Sequence, residues 1–167
     1  MAFSVEEVDE FLQYAVFHNV VVLLYRARLT PLYVDLIGRL LLELGADRPH
    51  GVVVVTMPAP GVTASSAALA GPLRDLDRRL GGSLRLFVPF VDAQSTFAAA
   101  RVAFWRGLAL LLGPKQLRLA QSIEEAAFEA ARAARTDDGV PVDEPALCEF
   151  LRFCDARHRQ AGGWRPR

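Results

Sequence analysis

Val20-Val21-Val22-Leu23-Leu24-Tyr25, followed closely by Leu29-Thr30-Pro31 and then by Leu32 to Leu44, is the stretch on which the fold turns. The first run is apolar throughout and rich in β-branched residues, as a central strand covered on both faces requires. Thr30 can accept a backbone N–H as a helix cap, and Pro31 has no N–H to leave unpaired at the first helical position. From Leu32 to Leu44 only Gly38 could interrupt a helix, and Gly45 is placed to stop it. Asp35, Arg39 and Glu43, four residues apart, make one narrow polar stripe, so this helix must be buried broadly.

The same strand-then-helix unit recurs along the chain. Gly51 to Thr56 reads as a second buried strand and Thr63 to Leu80 as a helical segment ended by Gly81-Gly82. Leu84 to Val91 and Ser95 to Leu112 give a third pair, ended by Gly113-Pro114. Leu117 to Ala120 reads as a short fourth strand, and Ser122 with Glu125 is a capping-box pattern opening a helix to about Arg135. Parallel strands need crossover connections of this length, so the expected core is an α/β layered sheet of four to five mostly parallel strands. Before it, Ser4 with Glu7 and the apolar positions Val5, Val8, Phe11, Leu12, Ala15 and Val16 predict a helix over 4–17. A competing reading makes Gln13 to Phe17 the first strand of a hairpin, with His18-Asn19 as its turn.

After the core, Thr136 to Pro141 reads as a linker. Glu144 to Arg159 reads as an amphipathic helix using Leu147, Phe150, Leu151 and Cys154. The expected division is therefore an α/β domain over 1–135, a linker over 136–143, and a C-terminal helix with a frayed tail over 144–167. A chain of 167 residues with 52% hydrophobic content can fill one such domain. Nineteen basic residues balance nineteen acidic ones, which gives no overall electrostatic reason to expect nucleic acid. The N-terminus lacks a basic start followed by an apolar core, and no apolar run approaches the roughly 20 residues of a membrane span. A cytoplasmic location without membrane insertion is expected.

Local chemistry is sparse. Cys148 and Cys154 are spaced neither as zinc ligands nor as a redox pair, and read as reduced thiols. There is no GxGxxG, GxxxxGK[ST], GxSxG or SxxK pattern, so neither nucleotide binding nor hydrolysis has local support, and no cofactor or metal is expected. Ligands of open α/β sheets gather at the carboxyl ends of the strands, which here offer Thr30, Thr56, Asp92, Ser95, Gln121 and Ser122. Asp92 alone is too few carboxylates for a magnesium-dependent receiver, and helix capping is its plainer role. On the third helix Phe104, Trp105 and Leu108 belong to an apolar face that runs nearly all round, interrupted only by Arg101 and Arg106. One sheet cannot hide that much surface: either the first or last helix supplies the other cover and the last helix docks on its own domain, or Phe104, Trp105 and Leu108, with Phe150 on the last helix, are contact residues for a homodimer or another protein.

From Asn19 to about Arg135 the order of elements resembles the STAS family, typified by the anti-sigma-factor antagonists. Leu29-Thr30-Pro31 is similar to the family's strand-to-helix transition, and Ser122-Ile123-Glu124-Glu125-Ala126 to the start of its last helix. The resemblance implies a non-enzymatic, protein-binding switch, in which a partner kinase phosphorylates a serine in an Asp-Ser-Gly-like loop after a central strand. At that place stands Pro58-Ala59-Pro60-Gly61-Val62-Thr63-Ala64-Ser65-Ser66, with no aspartate and no glycine after the serines. Thr63, Ser65 and Ser66 are the residues carried over as a candidate phosphosite, and a scaffold that has lost the switch is implied. The function expected is regulation or assembly through protein–protein interaction. The alternative is a small-molecule sensor or enzyme using a pocket at the strand ends.

Overall fold

A hairpin, not a helix, opens the sheet. The computed structural model describes residues 3–59, 61–62, 67–112 and 116–161. In it, β2 (Leu12–Phe17) and β3 (Val20–Tyr25) pair antiparallel over six positions, from Leu12 opposite Tyr25 to Phe17 opposite Val20. His18, at φ 54°, takes the left-handed backbone in the two-residue loop. The helix expected over 4–17 is thereby corrected, and the competing hairpin reading holds. Alternation explains why the signal misled: Leu12, Tyr14 and Val16 face one side of the sheet, while Ala15 and Phe17 face the other. Both sides are covered, so no residue pattern marks one face as wet, and the apolar positions coincide with helical spacing. Glu6–Glu7 form a two-residue edge strand, β1, on β2, where Glu7 accepts a 2.9 Å hydrogen bond from the Gln13 amide instead of closing a capping box.

β4 (Val52–Pro58) and β5 (Leu84–Pro89) complete a five-stranded sheet in the order β1-β2-β3-β4-β5. The β3–β4 and β4–β5 pairings are parallel; β1–β2 and β2–β3 are antiparallel. The sheet is thus mixed rather than mostly parallel, because the segment read as a helix supplies antiparallel strands at one side. The short strand expected at Leu117 to Ala120 is reduced to single parallel bridges, Phe87 with Leu117 and Phe90 with Ala120.

Three helices cover one face: α1 (Pro31–Ala46), α2 (Ala70–Leu80) and α3 (Ala98–Leu112). Thr30 Oγ1 accepts from the Tyr33 N–H at 3.3 Å and caps α1 as its sequence position predicts. A Cβ at Gly38 would lie 2.8 Å from a Leu76 methyl, so glycine there lets α1 and α2 approach closely. The α1–α3 face packs on Val21, Leu23, Val52 and Val54, and α4 (Ile123–Ala133) and α5 (Glu144–Ala161) pack on Val20, Val22, Val53 and Val55. Ala126, Ala127, Ala130 and Ala131 give α4 a flat face toward the sheet.

α5 is part of this second layer rather than an appendage. Leu147, Phe150, Leu151 and Cys154 are fully buried in the core shared with β2, β3 and α4. The segment read as a linker is a tight reversal: Thr136 N–H donates to Val140 at 2.8 Å, Gly139 N–H to Thr136 at 2.9 Å, and Gly139 sits at φ 78°. Asn19, buried at the hairpin turn, joins the layers by donating to the Gly51 carbonyl at 3.0 Å and accepting the Arg135 N–H at 2.7 Å. Among the described residues no helix is long and apolar enough to cross a membrane.

Candidate functional site

The three strands that run parallel, β3, β4 and β5, end on the same edge, and the chain leaves that edge each time to begin α1, α2 and α3. Between the ends of β4 and β5 lies an open cavity of about 310 Å³, walled by Pro58, Phe90, Asp92, Ser95, Arg101 and Arg159. β5 runs on through Phe90 and Val91 to Asp92, whose Oδ1 accepts the Gln94 N–H at 2.9 Å and so turns the chain toward α3. This is a local turn, not the helix cap expected of Asp92, because α3 begins only at Ala98. The Asp92 Oδ2 does something further: it pairs with Arg159 at 3.1 Å, and Arg159 also holds Asp155 at 2.8 Å. The last turns of α5 are thereby fastened across the edge of the sheet.

Arg101 enters the cavity from the first turn of α3 and is only 4% exposed. Its Nη2 donates to the Val62 carbonyl, while its Nε has no hydrogen-bond partner among the described residues. Among the described residues no carboxylate pairs with it. Burial pulls its guanidinium below the usual value, against the opposing pull of Tyr25 and Asp92. The Ser95 hydroxyl is likewise buried without a partner among the described residues. Tyr25 lies fully buried beside Thr56, and burial raises its phenol well above the usual range although the charge of Arg101 works the other way.

On the α5 side His158 is 1% exposed, its ring sealed against the Tyr25 backbone. Burial, and after it the charge of Arg26, hold its imidazole down to about 4; the Tyr25 backbone and Asp155 oppose this, and Arg159 adds to it. Such a histidine is neutral at physiological pH. Cys154, one turn earlier, is pushed up to about 12 by burial and is a core thiol rather than a nucleophile. Among the described residues no group of three His, Cys, Asp or Glu could hold a metal ion.

The strand-end residues named from sequence are only partly brought together. Asp92 and Ser95 line the cavity, Thr56 is buried, and Thr30 and Ser122 are helix caps, with Ser122 Oγ accepting the Glu125 N–H at 3.0 Å. The candidate contact residues fare differently. Trp105 and Leu108 are each 3% exposed and Phe150 is fully buried. The Trp105 ring lies 5.4 Å from Phe87, and Phe150 stacks on Phe17 at 5.2 Å. Their own domain consumes these three surfaces, and only Phe104 keeps partial exposure. Thr63, Ser65 and Ser66 lie outside the described residues. Sequence reasoning missed Arg101, Arg159 and His158 as members of one edge; the available signal was an arginine set in the otherwise apolar first half of α3. No protein-family model, curated protein or solved structure matches this chain.

Proposed function

We propose that this chain is a non-enzymatic regulatory or assembly module that acts through protein–protein interaction on a divergent STAS-like scaffold, its phosphoswitch lost. The observation that carries the reading is at the carboxyl edge. Both sheet faces are already covered by the chain's own helices, yet Leu32 at the start of α1 is 73% exposed and Phe97, just before α3, is 36% exposed. α1 and α3 follow strands two places apart, roughly 10 Å, and lie on the same face of the sheet. Two large apolar side chains held in water at one edge are anchors whose burial a partner recovers as hydrophobic free energy. The element order, a hairpin followed by strand–helix units in chain order, supports the STAS-like identity.

The partner is a protein with an apolar pocket, a second copy of this chain being the first to test. The double variant Leu32→Asp, Phe97→Asp keeps the melting temperature, because neither side chain is in the core. Light scattering at rising concentration and affinity purification from the native cell compare it with the parent. A homodimer or a specific partner held by the parent and lost by the variant supports the reading. A parent that is monomeric and captures nothing, or a partner retained equally by both proteins, overturns it.

A further inference from the structure

The two faces of the sheet are not covered to the same width. On one, α5 reaches β2; on the other, α1 is the outermost helix and packs on β4, so β1 and β2 have only its flank beside them. Tyr14 and Val16 of β2 and Leu36, Leu40 and Leu44 of α1 line the strip between, every one of them partly exposed. The three leucines are four residues apart and form a second apolar stripe, separate from the buried Val34, Ile37 and Leu41 that hold α1 to the sheet. Packed helices lie about 8–10 Å apart, or two strand spacings, so the next place in this helical layer is over β1 and β2. Among the described residues no element occupies it. Carboxylates rim the strip. Glu6 stands opposite Tyr14 in the β1–β2 ladder and projects from the same face, and Glu43 is exposed beside Leu40 and Leu44. At one end the Tyr33 hydroxyl donates to Asp9 Oδ2 at 3.2 Å and the Phe11 ring meets Tyr33 edge to face, which brings the turn carrying Asp9 and Glu10 against the start of α1. The Tyr33 phenol is raised first by burial and then by the charges of Asp9 and Glu10. Among the described residues none of these four carboxylates takes part in a salt bridge. Of the nearby bases, Arg39 is paired with Asp35, Arg26 turns to Gln13 on the other face, and Arg48 at the far end donates to the His18 and Leu44 carbonyls.

We propose that the strip between α1 and β2 is a docking groove for a basic amphipathic helix of another protein. The inference rests on the protein-binding reading and gives it a second surface with a stated partner chemistry. β2 is six residues long, about 20 Å, which a helix of about 13 residues matches. Apolar side chains on one face of that helix lie on Leu36, Leu40, Leu44, Tyr14 and Val16, as in other helix-in-groove complexes. Lysines or arginines on its two flanks reach Glu6 on one rim and Glu43 on the other, and its end meets Asp9 and Glu10. An acidic helix meets the same apolar strip but is repelled at every rim.

The test titrates the full chain with an amphipathic peptide of about 18 residues built from leucine and lysine at helical spacing, and with its counterpart carrying glutamate for lysine. The amide proton–nitrogen correlation spectrum maps the site and fluorescence anisotropy gives the affinity. Saturable binding of the lysine peptide is expected, with shifts centred on residues 14–16 and 33–44 and the glutamate peptide at least about tenfold weaker. Glu6→Lys with Glu43→Lys, both exposed, weakens the lysine peptide by about tenfold. Glu144→Lys with Glu149→Lys, the same change of net charge at exposed positions of α5, weakens it by less than about threefold. Shifts centred elsewhere, equal affinity for the two peptides, or equal losses in the two double variants overturn the proposal. So do strip resonances of the free protein that move with its own concentration, because they assign the strip to a second copy. The edge reading fails separately: Phe97 lies before α3, three strands from β2, and Phe97→Asp leaves peptide binding unaltered. A protein that captures no edge partner yet seats the peptide on the strip loses the edge alone; one that holds an edge partner and leaves the strip empty loses this proposal alone.

Discussion

His158 makes the stability of this domain depend on pH in a direction and over a window that can be worked out. Its imidazole is held down to about 4 from the ordinary 6.5, first by burial and then by the neighbouring charge of Arg26. The unfolded chain therefore binds a proton at higher pH than the folded one. The stability tied to neutral His158 is fully present above about pH 6.5 and is lost as pH falls toward 4, below which the loss levels off. At about 1.4 kcal/mol per pH unit, the whole span is worth about 3 kcal/mol, of which about 2 kcal/mol is lost between pH 7 and pH 5. His158→Leu removes the titrating group and two buried polar nitrogens, so at pH 7 it changes stability little. Urea unfolding followed by circular dichroism, for parent and variant at both pH values, measures the difference. The parent should lose about 2 kcal/mol more than His158→Leu on acidification. Equal losses in the two proteins, or a nuclear magnetic resonance titration placing His158 near its ordinary value, refute the reasoning.

Other expectations concern how the layers are joined. Asn19→Ala removes a donor to Gly51 and an acceptor for Arg135, leaving buried backbone groups unpaired, and should cost about 2–4 kcal/mol in urea unfolding. A cost below about 0.5 kcal/mol would mean that water replaces both bonds. Truncation after Ala134 strips Leu147, Phe150, Leu151 and Cys154 from the core and exposes the sheet. At roughly 1.5–3 kcal/mol per large side chain, that exceeds the stability of an ordinary domain, and the truncated chain should bind a hydrophobic dye and show no cooperative melting. A cooperative transition at the parent's temperature would show α5 to be dispensable.

Much of the architecture was legible in residue order. Val20 to Tyr25, Thr30-Pro31, Val52 to Thr56 and Ser122 to Glu125 carry their structure locally, through β-branched runs and capping hydroxyls, and all took the forms expected of them. Residues 4–17 did not. A strand buried on both faces has no polar side, so Leu12 to Phe17 offered a periodicity that fits a helix as well as a strand, and only the partner strand decided between them. Which of the two readings of α3 applied was hidden for a related reason. An over-apolar α3 shows that cover exists without showing whose it is, and the cover over Trp105 and Leu108 comes from the chain's own sheet and helices.

The candidate site was legible least of all. By itself the sequence determined that the strand ends would meet at one edge, because βα units with long crossovers bring parallel strands there, and it placed Asp92 and Ser95 on that edge. It could not say that α5, starting more than fifty residues later, would fold back so that Arg159 took both Asp92 and Asp155. Nor could it say that Arg101 would be buried at that edge or that His158 would be sealed under the sheet end. Local preferences act over a turn of helix or a pair of strands. Charge pairing and burial depend on which distant segments come within a few ångströms, and that is settled only when the layers close.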